Sequence, residues 1–218
     1  MKDNIVDVTE IKVTIIGSQG VGKTCVIKNY VEGVFTEYNI STSGVDYYKK
    51  ELIMNNKKVI LNIWDTAGQE KFYSMAQYFY KNSFIIIIVY DVTNMKSFEE
   101  IKNHWIQDIM EKGEKYKIIA IVGNKIDLYD NEGVNEIDDK IVKEFLDNIN
   151  KNNKNCKFIS ERVSAKKNIN IKVLFDKILK EYFNEEFNQK VKQKILEDGV
   201  SFKVKKKKKA RKEDGNCC

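Results

Sequence analysis

The sequence contains no proline, one histidine and four cysteines among its 218 residues. The lack of proline accompanies abundant Asn, Lys and Ile, so we attribute it to composition bias and draw no function from it. Cys25 and Cys156 stand alone and the other two cysteines are adjacent at residues 217 and 218, so neither a disulfide framework nor a CxxC metal site is predicted. We expect the single histidine, His104, to be structural or exposed rather than catalytic.

Long apolar runs are also missing from the chain. The longest, residues 84–90, is far shorter than the roughly 20 residues that a membrane-spanning helix requires. Residues 1–10 mix charged side chains with isolated apolar ones and lack the cationic and apolar regions of a signal peptide. We therefore expect no transmembrane helix and a cytosolic protein.

The net charge of +6 is concentrated near the C-terminus. From residue 201 onward there are eight basic and two acidic side chains, which account for the whole of this net charge. The remaining residues are formally neutral, whereas a nucleic-acid-binding domain usually carries its basic residues on a folded face. The distribution predicts a basic tail attached to a neutral globule and no nucleic acid as a partner.

Apolar runs alternate with helical patterns along the chain. Buried strands are predicted at residues 11–16, 59–64, 84–90, 118–122 and 158–163, and helices at residues 22–31, 70–80, 96–110, 137–149 and 169–194. This alternation predicts an α/β domain with a mostly parallel sheet and helices on both faces. The runs flanking Asn55 and Asn56 predict a hairpin, which makes residues 45–53 an antiparallel edge strand. We expect polar loops at residues 129–136 and 151–155, and disorder from about residue 203.

Residues 17–24, GSQGVGKT, match the pattern G-x-x-x-x-G-K-[ST] between a predicted strand and a predicted helix. In such a loop the backbone N–H groups surround phosphate oxygens at the positive end of the helix. Lys23 is expected to reach the β- and γ-phosphates, and the Thr24 hydroxyl is expected to bind Mg²⁺. The alternative, a glycine turn without a ligand, is disfavoured by the strand before the loop and the helix after it.

Asp65 follows the apolar strand at residues 59–64 and precedes Gly68. An acidic residue at the end of a strand beside a phosphate loop can hold Mg²⁺ from the opposite side, typically through water. Taken alone, Asp65 could be a helix N-cap, which is the commoner role for such a residue. Together with the phosphate loop, it indicates a magnesium site.

The strand at residues 118–122 leads into Asn124-Lys125-Ile126-Asp127, at a strand end where α/β sheets place ligands. A carboxylate at Asp127 can accept hydrogen bonds from both the ring N–H and the exocyclic amine of guanine. Adenine has no such pair of donors, so Asp127 is predicted to select guanine. Alone this short pattern is usually a surface loop, and its position after the phosphate loop gives it significance.

In this order the motifs resemble those of the small GTPases and, among these, the Rab family. The resemblance extends over about residues 11–182 and resumes at the terminal Cys217-Cys218. It implies a P-loop GTPase fold with a six-stranded sheet. It also implies an N-terminal extension at residues 1–10, a GTPase domain at residues 11–184 and a hypervariable tail at residues 185–218.

The same resemblance implies GTP or GDP as the ligand, Mg²⁺ as the cofactor, and GTP hydrolysis as the activity. Lys23 and Gln69 are the implied catalytic residues, and Gln69 orients the attacking water. The implied magnesium ligands are Thr24, Thr42 and Asp65, with Thr42 also closing over the γ-phosphate. The implied nucleotide contacts are Gly20, Val21, Gly22, Lys23, Thr24, Cys25, Phe35, Thr42, Gly68, Asn124, Lys125, Asp127, Ser164, Ala165 and Lys166.

Three aromatic residues match a Rab surface that effectors contact, namely Tyr47, Trp64 and Phe79. Without the resemblance, ordinary core packing would explain them as well. Ser43, Tyr47 and Asn39 depart from the usual Rab residues, so the identity of the effector cannot be carried over. Gln19 either faces the γ-phosphate and an inserted arginine finger or points to solvent, and the sequence leaves both interpretations open.

The terminal Cys217-Cys218 resembles the Rab ending on which both thiols receive geranylgeranyl chains. Two lipids give a stable anchor, and each nearby basic side chain adds about 1 kcal/mol at an anionic membrane. The alternatives are a solvated charge run with idle thiols and a nuclear localisation signal at residues 205–209.

The leading hypothesis is a monomeric GTP-hydrolysing switch on the cytoplasmic face of an intracellular membrane, with a cytosolic pool. Its implied partners are effectors, an exchange factor, a GTPase-activating protein, and an escort protein or GDP-dissociation inhibitor. One rival is a P-loop ATPase or small-molecule kinase, which residues 124–127 and the lack of a substrate motif disfavour. The other is a protein that holds GTP without turnover, which the presence of Lys23, Thr42 and Gln69 disfavours.

Overall fold

The computed structural model describes residues 8–35, 42, 44–54, 57–68, 73–113, 116–128, 137–153 and 156–197. Contacts divide the chain into two units, Met1–Phe183 and Asn184–Cys218. The first unit contains the sheet and the helices around it, whereas the described part of the second is helical. The basic tail and the terminal cysteines lie outside the described residues.

Six strands form one sheet in the order β2-β3-β1-β4-β5-β6. All neighbours are parallel except β2, which runs antiparallel to β3 at one edge. This confirms the predicted α/β class, the mostly parallel sheet and the antiparallel edge strand. The strands are β1 (Val8–Ile16), β2 (Val45–Met54), β3 (Lys57–Thr66), β4 (Ile85–Asp91), β5 (Ile118–Asn124) and β6 (Lys157–Arg162).

Strand β1 begins at Val8, three residues before the predicted start at residue 11. The reason is pairing with β3, because Val8, Thr9 and Glu10 lie opposite Lys58, Val59 and Ile60. Val8 and Glu10 are exposed, so no buried apolar run marked this segment as a strand.

The described residues contain six α-helices: α1 (Lys23–Glu32), α2 (Tyr73–Tyr80), α3 (Met95–Glu100), α4 (Ile106–Lys112), α5 (Asp139–Asn152) and α6 (Ile171–Glu197). The single helix predicted at residues 96–110 is interrupted by a π-helical turn, Ile101–Trp105, that joins α3 to α4. In this turn the Ile106 N–H donates to the Ile101 carbonyl, five residues earlier. Both Ile101 and Trp105 are buried, so the turn supplies two core side chains.

Helices cover both faces of the sheet, as predicted, and each face has its own hydrophobic core. Side chains alternate along β4, so Ile87 packs on the face with α1 and α6, and Ile88 on the face with α3, α4 and α5. Because both faces are covered, every residue of β4 and β5 is buried. This explains the unbroken apolar runs in the sequence.

The carboxyl ends of the parallel strands meet at one edge of the sheet. Strand β1 leads there into residues 17–22, β3 into residues 67–68 and β5 into Lys125. Ligands of open α/β sheets bind at this edge. None of the helices in the described part of the chain has the length and apolarity needed to cross a membrane.

Candidate nucleotide-binding site

The phosphate loop connects β1 to α1 and has glycine where the backbone must be left-handed. Gly22 caps the N-terminus of α1 with a φ of 93°. A Cβ atom added there would lie 2.4 Å from the Asn124 side-chain nitrogen, so close approach also requires glycine. The loop therefore brings the amino end of α1 against β5, where its free N–H groups can bind an anion.

Lys23 is almost fully buried at the centre of this loop. Its ammonium donates hydrogen bonds to the carbonyl oxygens of Gly17, at 2.8 Å, and Ser18, at 2.9 Å. Burial lowers the pKa of Lys23 to about 8, although the Asp65 carboxylate acts in the opposite direction. The neutral carbonyls hold this buried ammonium without cancelling its charge. An anionic ligand beside it would therefore stabilise the charged form of Lys23.

Thr24, Thr42 and Asp65 come together beside Lys23. The Thr24 hydroxyl donates to Asp65 Oδ2 at 2.5 Å and lies 3.0 Å from the Thr42 hydroxyl. Asp65 is completely buried, and among the described residues none hydrogen-bonds its Oδ1 atom. Burial raises the pKa of Asp65 to about 6, against the lowering effects of the Thr24 hydrogen bond and of Lys23.

This set of atoms fits Mg²⁺. Two hydroxyls and a carboxylate are the hard oxygen ligands that the ion prefers, and the buried Oδ1 without a described donor would gain a partner. Across the described ranges no three His, Cys, Asp or Glu side chains form a metal-binding group. An ion here would thus depend on phosphate oxygens and water for its remaining ligands, as Mg²⁺ in nucleotide sites generally does.

Asn124 connects the phosphate loop to the loop at residues 164–166. Its side-chain nitrogen donates to the Val21 carbonyl at 2.9 Å, and its side-chain oxygen accepts from the Ala165 N–H at 3.0 Å. Asn124 is buried, so these bonds hold three separate segments in a fixed arrangement. The Asn29 side chain supports the same loop by donating to the Ala165 carbonyl at 2.9 Å.

Asp127 lies in a short 3₁₀ turn, Ile126–Leu128, after β5. Its carboxylate accepts a hydrogen bond from the hydroxyl of the buried Ser164, which itself accepts from the Lys167 N–H at 2.9 Å. Because only one carboxylate oxygen takes part in this bond, Asp127 is oriented and still able to accept from a base.

Asp91, beside the predicted base segment, was not predicted from the sequence. It ends β4 opposite Asn124, and its Oδ2 forms an ion pair with Lys125 Nζ at 2.6 Å. Burial raises the pKa of Asp91, but hydrogen bonds from Lys125 and Thr93 leave it below its ordinary value. Lys125 has a φ of 73°, which is unfavourable for lysine, so the ion pair holds a strained residue in place. The available signal was an acidic residue directly after the apolar run at residues 84–90, as at Asp65.

Tyr47, Trp64 and Phe79 form one aromatic patch on neighbouring elements. Tyr47 and Trp64 are directly opposite each other in β2 and β3, with ring centroids 5.2 Å apart, and Trp64 and Phe79 are 5.3 Å apart. Tyr47 is 50% exposed and the other two are half-buried. The three residues thus share a partly accessible surface, with the Lys12 ammonium 5.7 Å from the Trp64 ring.

The remaining predicted site residues are less informative. Gly20, Gln19 and Lys166 are exposed, and Phe35 and Cys25 are half-buried. Gly68 lies against the phosphate loop, since a Cβ atom added to it would be 2.3 Å from Lys23 Nζ. The predicted catalytic Gln69 and the predicted lipidation sites Cys217 and Cys218 lie outside the described residues.

Comparison with known proteins agrees with this architecture. A sequence model of the Ras family matches residues 12–184. Ras-related protein Rab-19 from Homo sapiens is 42% identical over 123 residues, which are 56% of this chain and 56% of that protein. Ras-related protein Rab-1C from Dictyostelium discoideum is 41% identical over 140 residues, covering 64% of this chain and 68% of that protein. Ras-related protein RABF2a from Arabidopsis thaliana is 34% identical over 188 residues, covering 86% and 88%.

The chain spans little more than half the length of the Rab-19 relative that it matches, and most of the length of RABF2a. The Ras-family match includes every strand from β2 to β6 and most of β1. The six-stranded sheet with its phosphate loop after β1 is the P-loop GTPase fold. The chain therefore belongs to the Rab family of small GTPases, within the wider Ras family.

Proposed function

We propose that this chain binds GTP and GDP with Mg²⁺, hydrolyses GTP slowly, and acts as a membrane-anchored switch that recruits effectors in vesicle trafficking. The observation that carries the proposal is the convergence of three groups at one sheet edge: the buried Lys23, the Thr24–Asp65 pair, and the segment from Asn124 to Asp127. The hydrogen bond from Asn124 to Val21 joins the base segment directly to the phosphate loop.

At the phosphate end, this chain supplies positive charge and N–H donors. The carbonyls of Gly17 and Ser18 hold the Lys23 ammonium at the loop, where it would contact the β- and γ-phosphates. Thr24, Thr42 and Asp65 would hold Mg²⁺, which when bound neutralises negative charge on the phosphate oxygens. By resemblance to the family, Gln69 would orient the water that attacks the γ-phosphate.

At the base end, Asp127 would distinguish guanine from adenine. A carboxylate accepts hydrogen bonds, and guanine presents two adjacent donors where adenine presents none in that arrangement. The Ser164 hydroxyl holds one carboxylate oxygen and so orients the group before a ligand arrives. This arrangement supports GTP over ATP and disfavours the ATPase and kinase alternatives.

We infer the domain organisation and partners from the same family membership. Residues 11–184 would form the GTPase domain, residues 1–10 an extension, and residues 185–218 the tail with prenylated Cys217 and Cys218. The aromatic patch of Tyr47, Trp64 and Phe79 would contact effectors. An exchange factor, a GTPase-activating protein, and an escort protein or GDP-dissociation inhibitor would complete the cycle between a membrane's cytoplasmic face and the cytosol.

Substitution of the base-reading carboxylate tests the proposal. Asp127→Asn should weaken GTP and GDP binding and favour xanthine nucleotides, because the xanthine carbonyl can accept from the new amide. Competition of GTP, XTP and ATP against a fluorescent guanine nucleotide measures the change. Asp147→Asn, an exposed position on α5, makes the same change of charge away from the site and should leave binding unchanged. The proposal would be refuted if the parent chain bound ATP and did not bind GTP.

A further inference from the structure

Ser18 connects the phosphate loop to a helix far away in the sequence. Its hydroxyl donates a hydrogen bond to Glu100 Oε2 at 2.5 Å, across 82 positions of the chain. A hydroxyl bonded to an ionised carboxylate makes a charge-assisted hydrogen bond, which is stronger than one between neutral groups. Neither the phosphate-loop pattern nor any other sequence motif identifies Glu100.

The peptide of Ser18 also determines where the catalytic ammonium lies. The Ser18 carbonyl accepts from Lys23 Nζ at 2.9 Å. Gly68 packs against the same carbonyl, because an added Cβ atom would lie 2.5 Å from the Ser18 oxygen. Holding Ser18 by its side chain thus constrains both Lys23 and the position that Gly68 can occupy.

Glu100 is itself on a rigid support. It ends α3, where Phe98 is completely buried with its ring 5.1 Å from that of Tyr90 in β4 and 5.7 Å from that of Phe145 in α5. The π-helical turn, Ile101–Trp105, follows immediately. Such turns are rare in proteins, and those that exist are often found at functional sites. This agrees with a functional role for Glu100, the residue just before the turn.

We propose that Glu100 is a positioning residue for nucleotide binding, which holds the phosphate loop through Ser18 and thereby places Lys23 against the phosphates. The inference rests on the proposed function, since it concerns the same nucleotide site. Glu100 acts through Ser18 and touches no reacting atom. The bond orders the loop before the ligand binds, so its loss should appear mainly as faster release of GDP.

The test is a double-mutant cycle on the rate of GDP dissociation, measured with a fluorescent GDP at fixed Mg²⁺. Ser18→Ala and Glu100→Ala should each accelerate release by at least about five-fold, and the double variant should be no faster than either single one. Ser18→Thr keeps the hydroxyl donor and should stay within about two-fold of the parent, whereas Glu100→Gln keeps only a neutral acceptor and should give a rate between those of the parent and Glu100→Ala. Glu99→Ala removes an exposed carboxylate from the same helix and should leave the rate unchanged.

A role in folding alone predicts other results. In that case Glu100→Ala would lower the thermal unfolding midpoint. The effects of the two alanine substitutions on the rate of GDP dissociation would then be independent of each other. Parent rates for both alanine variants, or additive effects in the double variant, would overturn the inference. If Glu100→Ala fails to fold, the comparison of GDP release from Ser18→Ala and Ser18→Thr tests the inference, which requires the alanine variant to release GDP faster. If the parent binds no GDP, then the proposed function fails and this inference with it, whereas parent binding with unaffected variants defeats this inference alone.

Discussion

Lys23 and Asp65 are buried ionisable side chains whose pKa values lie unusually close together. Burial lowers the pKa of Lys23 to about 8 and raises that of Asp65 to about 6. Both charged forms therefore cost free energy in the chain without ligands, because water solvates them poorly. Phosphate oxygens beside Lys23 and a cation beside Asp65 would each stabilise the charged form, which is the behaviour expected of a ligand site.

At the residue scale we predict that Gly68→Ala slows GTP hydrolysis. The new methyl group would lie 2.3 Å from Lys23 Nζ and 2.5 Å from the Ser18 carbonyl oxygen, so the backbone at residue 68 must move away. A displacement of about 1 Å near reacting groups can reduce a rate by about a hundred-fold. We expect single-turnover hydrolysis to fall at least about ten-fold.

The matched control is Gly44→Ala. An added Cβ atom at Gly44 meets no atom of the described residues within 4 Å apart from its chain neighbours, and the Gly44 carbonyl accepts a hydrogen bond from the N–H of Ala67, the residue before Gly68. This variant should hydrolyse GTP at the parent rate. Equal rates for Gly68→Ala and the parent would show that Gly68 can move without consequence for catalysis.

At the scale of elements, one buried carboxylate in α4 accepts hydrogen bonds from two side chains of α2. Asp108 in α4 accepts from the Tyr80 hydroxyl and from the Gln77 side chain at 3.2 Å, both in α2, and pairs with Lys112. Burial raises the pKa of Asp108, but the hydrogen bonds from Lys112 and Tyr80 bring it below its ordinary value of 3.8. The ionised form is thus the one that joins the two helices.

We predict that Asp108→Asn lowers the free energy of unfolding at pH 7 by about 1–3 kcal/mol, because charge-assisted bonds are replaced by weaker ones. The folded pKa lies below the unfolded one, so this stabilisation is present above the unfolded pKa and is lost as pH falls through the folded pKa. The difference between parent and variant should therefore shrink below about pH 4.

Urea unfolding at pH 7, 5 and 3 measures the effect. Glu111→Gln removes an exposed carboxylate from the same helix and should change the free energy of unfolding by no more than about 0.5 kcal/mol. A constant difference between Asp108→Asn and the parent at all three pH values would argue against the ionised carboxylate as the cause.

At the scale of the whole molecule, the proposed nucleotide contacts lie in the globule and the net positive charge lies in the tail. The residues before position 201 are formally neutral, while the tail has the net positive charge and the two terminal cysteines. None of the proposed nucleotide contacts lies in the tail. Anchoring and nucleotide binding should therefore be separable by substitution.

We predict that replacing Cys217 and Cys218 by serine moves the protein from membranes to the cytosol while its affinity for GDP stays unchanged. Two lipids give a stable anchor and a basic patch alone gives a weak one. Membrane fractionation and imaging of the full-length protein measure the distribution. A second variant with glutamine at residues 205–209 should weaken binding without complete release. Unchanged fractionation of the serine variant would contradict lipid anchoring.

Features that depend on local pattern could be predicted from the sequence. Within the described residues the apolar runs, the hairpin signal and the helical periodicity indicated each of the six strands and the helices, although α3, the π-helical turn and α4 were predicted as one helix. Strands buried on both faces leave unbroken apolar runs, and helices buried on one face leave a periodic pattern. The phosphate loop was predictable for a similar reason. Its glycines act through backbone geometry and Lys23 and Thr24 through their side chains, all within eight consecutive residues. Asn124 and Asp127 were likewise recognisable from a short pattern at a strand end.

Only the tertiary structure decided which distant side chains meet. The Ser18–Glu100 hydrogen bond, the Asp91–Lys125 ion pair and the Tyr80–Asp108 contact each join different elements. Each depends on strand order, helix placement and rotamers, which leave no periodic trace in the residues themselves. The π-helical turn at Ile101–Trp105 is similar, since its two core side chains are placed by packing on the sheet. The sequence thus determined the family, the fold and the nucleotide motifs, and tertiary packing determined how those motifs are held.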